Sequence, residues 1–232
     1  MRLLGYFIAG TTLNGSSENS LWIVQQWDGY APLEGYSVAQ QTSGFGLGRL
    51  FGAEQQAMKD RHCMIRAIIK GMLEAVAFLH DASVAHGALS KAVFRLSTFD
   101  DKDWTRQAVK VDGLGMATYG GQMPASLTSI LSGNFMERCR MDRQRLGLLI
   151  LELVVTSLST GATTEVTRLE RILTDVFSND VSKLREYLAE ESAFSAAVEF
   201  LDSNGLWDVI EMLVEGKELD VVQAFFNEYP GN

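Results

Sequence analysis

Hydrophobic residues recur at three- and four-residue steps from about residue 61 to residue 80. The members of this series are apolar and lie on one face of an α-helix: Ile65, Ile68, Ile69, Met72, Leu73, Val76 and Leu79. An apolar face of this length has to be buried, so the segment predicts a core helix.

Two segments nearer the N-terminus have the composition of β-strands. Residues 2–9 (RLLGYFIA) and 20–27 (SLWIVQQW) are rich in aliphatic and aromatic residues, and the polar segment GTTLNGSSEN joins them. The pattern predicts a hairpin with a polar, turn-rich connection at residues 10–19.

Further along the chain the pattern changes from strands to helices. A helical stretch is predicted near residues 35–40, followed by the glycine-rich connector SGFGLGRLFG. Short strands are predicted just before residue 86, at VFRL and at AVKV, and every plausible element after residue 141 is helical. A small strand-rich front and a helix-rich remainder predict an α+β fold.

Composition and charge restrict the possible partners. The chain has 232 residues, of which 47% are hydrophobic and 21% charged, enough for one large domain or two small lobes. A net charge of -9 repels nucleic acid, and no dense block of Lys and Arg offsets it. The longest apolar run, LGLLILELVV, includes Glu152 and is too short to span a bilayer, and the first ten residues do not resemble a signal peptide. We therefore expect neither a nucleic-acid partner nor a transmembrane segment.

The sequence shows no motif for a cofactor or a metal. Cys63 and Cys139 lie far apart, which predicts reduced structural thiols rather than a disulfide or a zinc site. His62, His80 and His86 lack metal-ligand spacing, and the segment GFGLG lacks the context of a phosphate-binding loop. No cofactor is therefore predicted.

One segment nevertheless resembles a catalytic loop. Residues 79–96, LHDASVAHGALSKAVFRL, align without a gap to the protein kinase pattern L-H-x-x-x-I-x-H-R-D-L-K-x-x-N. His86 and Leu89 match this pattern. The resemblance sets other residues at the chemical positions: Gly87 at the Arg, Ala88 at the catalytic Asp, Ser90 at the Lys and Val93 at the metal-binding Asn.

Two further segments resemble kinase motifs. VKVDGLGMA is similar to the strand and D-F-G motif that supply the other magnesium ligand, with Gly113 at the Asp, Leu114 at the Phe and Gly115 at the Gly. DRQRLGLLILEL is similar to the kinase core helix pattern D-x-W-S-x-G-x-x-x-x-E-L, and the matching positions include Asp142 and Gly147. The resemblance implies a structural role for Asp142, which would be buried and accept hydrogen bonds from the backbone of residues 86–89.

The alignment at the D-F-G motif leaves one alternative open. A slip of one residue would make Asp112 the metal-binding acid, at the expense of the matches at Leu114 and Gly115. The acidic residues 100–103 (DDKD) could assist such a site, although they are more typical of a solvated loop.

The resemblance also implies a domain organisation. Residues 1–29 resemble the last two strands and the hinge of a truncated kinase small lobe, and residues 30–232 resemble the helical large lobe. With the preceding strands absent from this chain, Leu21 to Trp27 would form an exposed apolar edge that an upstream segment, a partner or a second copy has to cover. The segments LWIVQQWDGYAPLEGY and GLWDVIEML are most similar to thylakoid kinases of plants and algae. A chloroplast location is the corresponding expectation, although no transit peptide precedes the match; otherwise a cytoplasmic location is expected.

Kinases work by positioning metal, triphosphate and hydroxyl groups, and here the base and metal positions are replaced. The resemblance therefore implies a pseudokinase that acts as a protein-binding scaffold or regulator. Two alternatives remain: an unorthodox kinase that binds ATP and Mg and phosphorylates Ser or Thr in proteins, and a truncated product that does not fold stably.

Overall fold

The computed structural model describes residues 3–13, 16–25, 29–36, 53–121, 134–159 and 166–228. Its contacts divide the chain into two compact units, residues 1–30 and residues 31–232. The mixture of small sheets and many helices confirms the predicted α+β class.

The first unit contains an antiparallel pair of strands, β1 (Leu3–Leu13) and β2 (Ser16–Gln25). Both strands continue into the segment predicted as a turn, because the last pair of the register joins Leu13 to Ser16. The two residues between them are Asn-Gly, the dipeptide that two-residue hairpin loops favour. Trp27 and the side chains of the predicted apolar edge lie outside the described residues.

The second unit combines short strands with helices. Two small sheets are antiparallel: one has the order β3-β5-β6 and the other pairs β4 with β7. The strands are β3 (Ala31–Pro32), β4 (Val84–Ala85), β5 (Phe94–Leu96), β6 (Val109–Val111) and β7 (Thr118–Tyr119). The helices are α1 (Ala53–Asp81), α2 (Phe135–Leu158), α3 (Val166–Arg171), α4 (Val181–Ala189), α5 (Ser195–Ser203), α6 (Leu206–Val214) and α7 (Leu219–Glu228).

Short stretches of 3₁₀ and π-helix also occur in the described part of the second unit. A turn of helix also occupies residues 33–36, so the predicted helical stretch near residues 35–40 is only partly described. Further 3₁₀ turns lie at Asp101–Arg106, Leu114–Met116 and Ser192–Phe194, and a π-helical turn at Ile172–Val176 follows α3. None of the described helices is both long enough and apolar enough to cross a membrane.

Helix α2 lies at the centre of the second unit. Every residue from Leu149 to Val155 is buried, so this stretch is enclosed on all sides and not only along one stripe. Helix α6 approaches it closely at Gly147, where an added Cβ atom would lie 3.1 Å from the Cβ atom of Leu213. Helix α1 packs against α2 with the apolar face predicted from the sequence. The core is therefore built around α2.

Both long helices begin earlier than the sequence pattern indicates. Helix α1 begins at Ala53 and not near residue 61, because residues 55–59 are exposed and carry no apolar period. Helix α2 begins at Phe135, before residue 141, and Asn134 caps it by accepting a hydrogen bond from the backbone N–H of Glu137. Hydrophobic periodicity thus identifies the buried part of a helix but not its exposed end.

The acidic segment DDKD is only partly a solvated loop. The side chain of Tyr36 is fully buried, and its hydroxyl donates a hydrogen bond of 2.7 Å to the carboxylate of Asp101. The same carboxylate lies 3.4 Å from Nε of Arg61. The side chain of Asp101 therefore links residues 33–36 to α1. Burial, together with the negative charge of Asp101, raises the pKa of Tyr36 above its usual value.

This contact predicts a pH dependence of stability. Because the folded state raises the pKa of Tyr36, the neutral phenol stabilises the protein below about pH 10, and that stability declines as the pH rises further. Replacing Tyr36 with phenylalanine is expected to cost about 1–2 kcal/mol at pH 8. From pH 10 to 11 the difference in the free energy of unfolding between wild type and Tyr36→Phe should shrink by about 1 kcal/mol.

Urea unfolding between pH 8 and pH 11 measures this difference. The exposed Tyr119 provides the control, because Tyr119→Phe removes a phenol from the surface and should change the free energy of unfolding at pH 8 by less than about 0.5 kcal/mol. A constant difference between wild type and Tyr36→Phe across this range would show that the buried hydrogen bond to Asp101 does not form.

Candidate functional site

The segment that resembles a catalytic loop is held by a buried carboxylate on α2. One oxygen of Asp142 accepts a hydrogen bond of 2.6 Å from the backbone N–H of His86, and the other accepts one of 2.9 Å from Gly87. Nε2 of His80, at the end of α1, lies 3.2 Å from the first oxygen. Asp142 is 2% exposed, so the predicted contact between this buried side chain and the 86–89 backbone is present.

The same face of α2 holds the loop at two further points. Nε of Arg145 donates a hydrogen bond to the carbonyl oxygen of Leu89, and Glu152 forms an ion pair with Lys91. Residues 142, 145 and 152 fall within a narrow sector of a 3.6-residue helix, so one side of α2 carries all three contacts. The loop is therefore positioned along its length by α2.

His86 fixes the loop from the opposite side. Its ring is fully buried, with Nε2 lying 2.7 Å from the carbonyl oxygen of Asp112, and Nδ1 accepts a hydrogen bond from the backbone N–H of Ala88. A carbonyl oxygen only accepts hydrogen bonds, so this geometry requires the neutral tautomer with its proton on Nε2. The imidazole joins the loop to the segment after β6 and has no nitrogen left for catalysis.

Gly87 stands where the resemblance implies an arginine, and its backbone suits only glycine. Its φ is +76°, and a Cβ atom there would lie 2.8 Å from the carbonyl oxygen of Met116. The guanidinium of Arg138 from α2 lies beside the same position, 3.2 Å from that imagined Cβ atom. A side chain at residue 87 is therefore excluded by both conformation and space.

Two of the altered positions pack directly against each other. In the alignment, Val93 corresponds to the metal-binding Asn of kinases and Gly113 to their metal-binding Asp. A Cβ atom added at Gly113 would lie 2.9 Å from a methyl carbon of Val93 (Cγ1), and the φ of Gly113 is +77°. A valine methyl group thus occupies the space that a side chain at residue 113 would need.

The alternative acid, Asp112, has a partner of its own. Its Oδ2 atom accepts a hydrogen bond of 2.7 Å from Nε of Arg95 on β5, and its backbone N–H donates to the carbonyl oxygen of Val93. The carboxylate of Asp101 has different partners, Tyr36 and Arg61. Asp112 and Asp101 therefore serve separate contacts.

The remaining predicted positions are divided between surface and core. Ala88 is exposed, so a methyl group stands at the loop position where the resemblance implies the catalytic acid, and Ser90 is half-buried. Leu114 is 48% exposed and Gly115 has no neighbour within 4 Å of an added Cβ atom. Leu89 is buried on the core, as its role in the resemblance implies. Apart from Ser90, none of these five carries a side-chain polar group.

Cys139 lies in a buried environment that disfavours the reactive thiolate form of its side chain. Cys63 and Cys139 are both free thiols, and Cys139 is buried at the start of α2. Burial, followed by the charge of Asp142, raises the pKa of the Cys139 thiol to about 11. Cys139 is therefore protonated at neutral pH and unreactive.

Two ion pairs at α2 were not predicted from the sequence. Lys91 pairs with Glu152, and the buried Arg143 pairs at 2.8 Å with Glu218 between α6 and α7. A signal for the first was present, because a glutamate within LGLLILELVV has to find a cationic partner if the run is buried. Arg143 gave no comparable signal, since it lies in the polar segment at the start of α2.

Taken together, these residues form a loop that is anchored on α2 and poor in reactive groups. Within residues 29–36, 53–121, 134–159 and 166–228 no group of three or more His, Cys, Asp or Glu side chains could hold a metal ion. Neither a protein-family model nor a curated protein sequence matches this chain.

Proposed function

We propose that this chain is a degenerate, protein kinase-like domain that acts as a protein-binding scaffold or regulator and does not transfer phosphate. The contact between Val93 and Gly113 carries this proposal. Kinases need two acidic or amide side chains at these positions to hold magnesium against the triphosphate. Here one position is glycine in a left-handed conformation and the other is a valine that fills the space beside it.

The frame around the loop supports the kinase-like part of the proposal. An acceptor on the central helix that holds two successive backbone N–H groups of the loop is the role that the resemblance implies for Asp142. The short strands β4, β5 and β6 lie where the sequence pattern predicted strands before and after the loop. The retained residues are thus those that shape the loop, while those that perform chemistry differ.

The number of altered positions supports the loss of catalysis. Loss of a general base alone typically slows a reaction by about 10²–10⁴-fold. In this chain Ala88 is at the base position and Val93 and Gly113 are at the metal positions, so positioning and proton transfer are affected together. The unorthodox-kinase alternative depends on Asp112, whose carboxylate is already paired with Arg95.

A phosphotransfer assay tests this function. Purified protein is incubated with γ-labelled ATP, Mg²⁺ or Mn²⁺, and a generic Ser/Thr protein substrate, and we expect no transfer above the level of a mock purification. The matched variant is Asp112→Asn, which removes the acid of the slipped alignment. Transfer by the wild-type protein that disappears in Asp112→Asn would overturn the proposal and identify an active kinase with an unusual metal ligand.

A further inference from the structure

The negative charge of this protein is concentrated in one stretch. Residues 186–228 contain eleven Asp and Glu residues and a single lysine, Lys217, whereas the whole chain has 29 acidic and 20 basic residues. The rest of the chain is therefore nearly neutral. The excess charge belongs to the end of α4 and to helices α5, α6 and α7.

These carboxylates face solvent, and most have no cationic partner. All eleven acidic side chains are exposed. Three of them form ion pairs: Asp202 with Arg185, Glu215 with Lys217 and Glu218 with Arg143. The other eight form no ion pair within the part of the chain that the structure describes. Such a surface attracts cationic groups over a distance of about 10 Å at moderate salt.

A groove lies within this charged region, along one face of α5. Ala189, at the end of α4, lines one side of the groove. The other lining residues lie on α5 at three- and four-residue steps: Ser195, Val198, Glu199, Asp202 and Ser203. Its volume is about 530 Å³. Val198 and Ala189 give it an apolar part, while Glu199 and Asp202 give it negative charge.

The chain itself shows which group suits the acidic part. Nε of Arg185 on α4 lies 3.0 Å from Oδ1 of Asp202 on α5, so a guanidinium already sits against one of the two carboxylates. Glu199 lies one turn earlier on the same face and is exposed, with no ion-pair partner among the described side chains. One carboxylate of the groove is therefore open to a cation from outside.

We propose that this groove binds a partner protein through an extended segment in which arginine or lysine alternates with apolar residues. The cationic side chains pair with Glu199 and with the neighbouring acidic residues at the end of α4, and an apolar side chain contacts Val198 and Ala189. Complementary charge selects and orients the partner, and the apolar contact fixes its register. The proposal rests on the charge and shape of α4 and α5, so it holds whether or not the chain transfers phosphate.

The test uses the full chain and a defined peptide. A fluorescein-labelled peptide of four Arg-Leu repeats serves as the probe, and the same peptide with Glu in place of Arg serves as its control. Fluorescence anisotropy at low and moderate salt should show saturable binding of the Arg-Leu peptide, weaker at the higher salt concentration, and no binding of the Glu-Leu peptide.

Two pairs of variants locate the binding. Glu199→Lys should weaken binding by roughly tenfold, whereas Glu228→Lys, the same charge reversal at the end of α7, should change it by less than about twofold. Ser195→Trp should block the groove, whereas Ala224→Trp, on the exposed surface of α7, should not. Thermal unfolding of each variant checks that it is folded.

Each contrary result is informative. Absence of binding to wild type overturns the proposal. An equal loss of peptide binding in Glu199→Lys and Glu228→Lys also overturns the proposal, because it indicates non-specific attraction to the acidic surface. Unchanged binding in Ser195→Trp places the peptide elsewhere and has the same consequence.

Discussion

Replacing Asp142 with alanine is expected to lower the free energy of unfolding by about 3–5 kcal/mol. The carboxylate accepts two backbone hydrogen bonds, from His86 and Gly87, and lies beside His80. Since the side chain is 2% exposed, water cannot replace it without rearrangement, and the N–H groups lose a charged acceptor. Urea unfolding at pH 7 measures the change.

An exposed aspartate gives the matched control. Asp103→Ala, within the 3₁₀ turn Asp101–Arg106, should change the free energy of unfolding by less than about 0.5 kcal/mol. If Asp142→Ala unfolds at the same urea concentration as wild type, the loop is not held by this residue. The kinase register of residues 86–89 would then lose its main structural support.

Replacing Gly113 with alanine is expected to destabilise the protein by about 2–4 kcal/mol. Part of the cost comes from forcing a side chain into a left-handed backbone with φ +77°, and part comes from the contact with Val93 at 2.9 Å. Gly115→Ala, two residues later, has neither problem and should be close to neutral. Chemical denaturation of both variants measures the difference.

A double-mutant cycle separates the two costs. Val93→Ala removes the methyl carbon that the new side chain would meet, so in that background the cost of Gly113→Ala should fall to the conformational part, about 1–2 kcal/mol. An unchanged cost in both backgrounds would mean that Val93 does not fill the space beside residue 113. The argument that the metal positions are blocked would then fail.

The sequence predicted those parts of the fold that depend on repeated local patterns. The buried stripe of α1 follows a helical period, and the strands at residues 94–96 (FRL) and 109–111 (VKV) alternate apolar and cationic residues, as strands do. The exposed residues 55–59 of α1 have no such period, so the beginning of the helix at Ala53 could not be located. The two hairpin strands were predicted, but their extension to Leu13 and Ser16 was missed because polar residues such as Thr11 and Ser17 are equally compatible with a turn.

The site was predictable only where one residue acts on the backbone of another. The contact of Asp142 with the loop follows from the alignment, because a backbone N–H is present whatever the loop residues are. The packing of Val93 against Gly113 joins two positions twenty residues apart and depends on a left-handed backbone, which the sequence does not specify. The pairing of Asp112 with Arg95 likewise depends on the register of β5 and β6.

The most direct measurement of the central claim is calorimetric titration of the wild-type protein with ATP, in the presence and absence of Mg²⁺. Since the two positions that the proposed alignment assigns to metal ligands hold a valine and a glycine, we predict no binding that depends on the metal. Saturable binding that requires Mg²⁺ and is lost in Asp112→Asn would contradict the account, because it would show that the chain assembles a metal–nucleotide site from the slipped alignment.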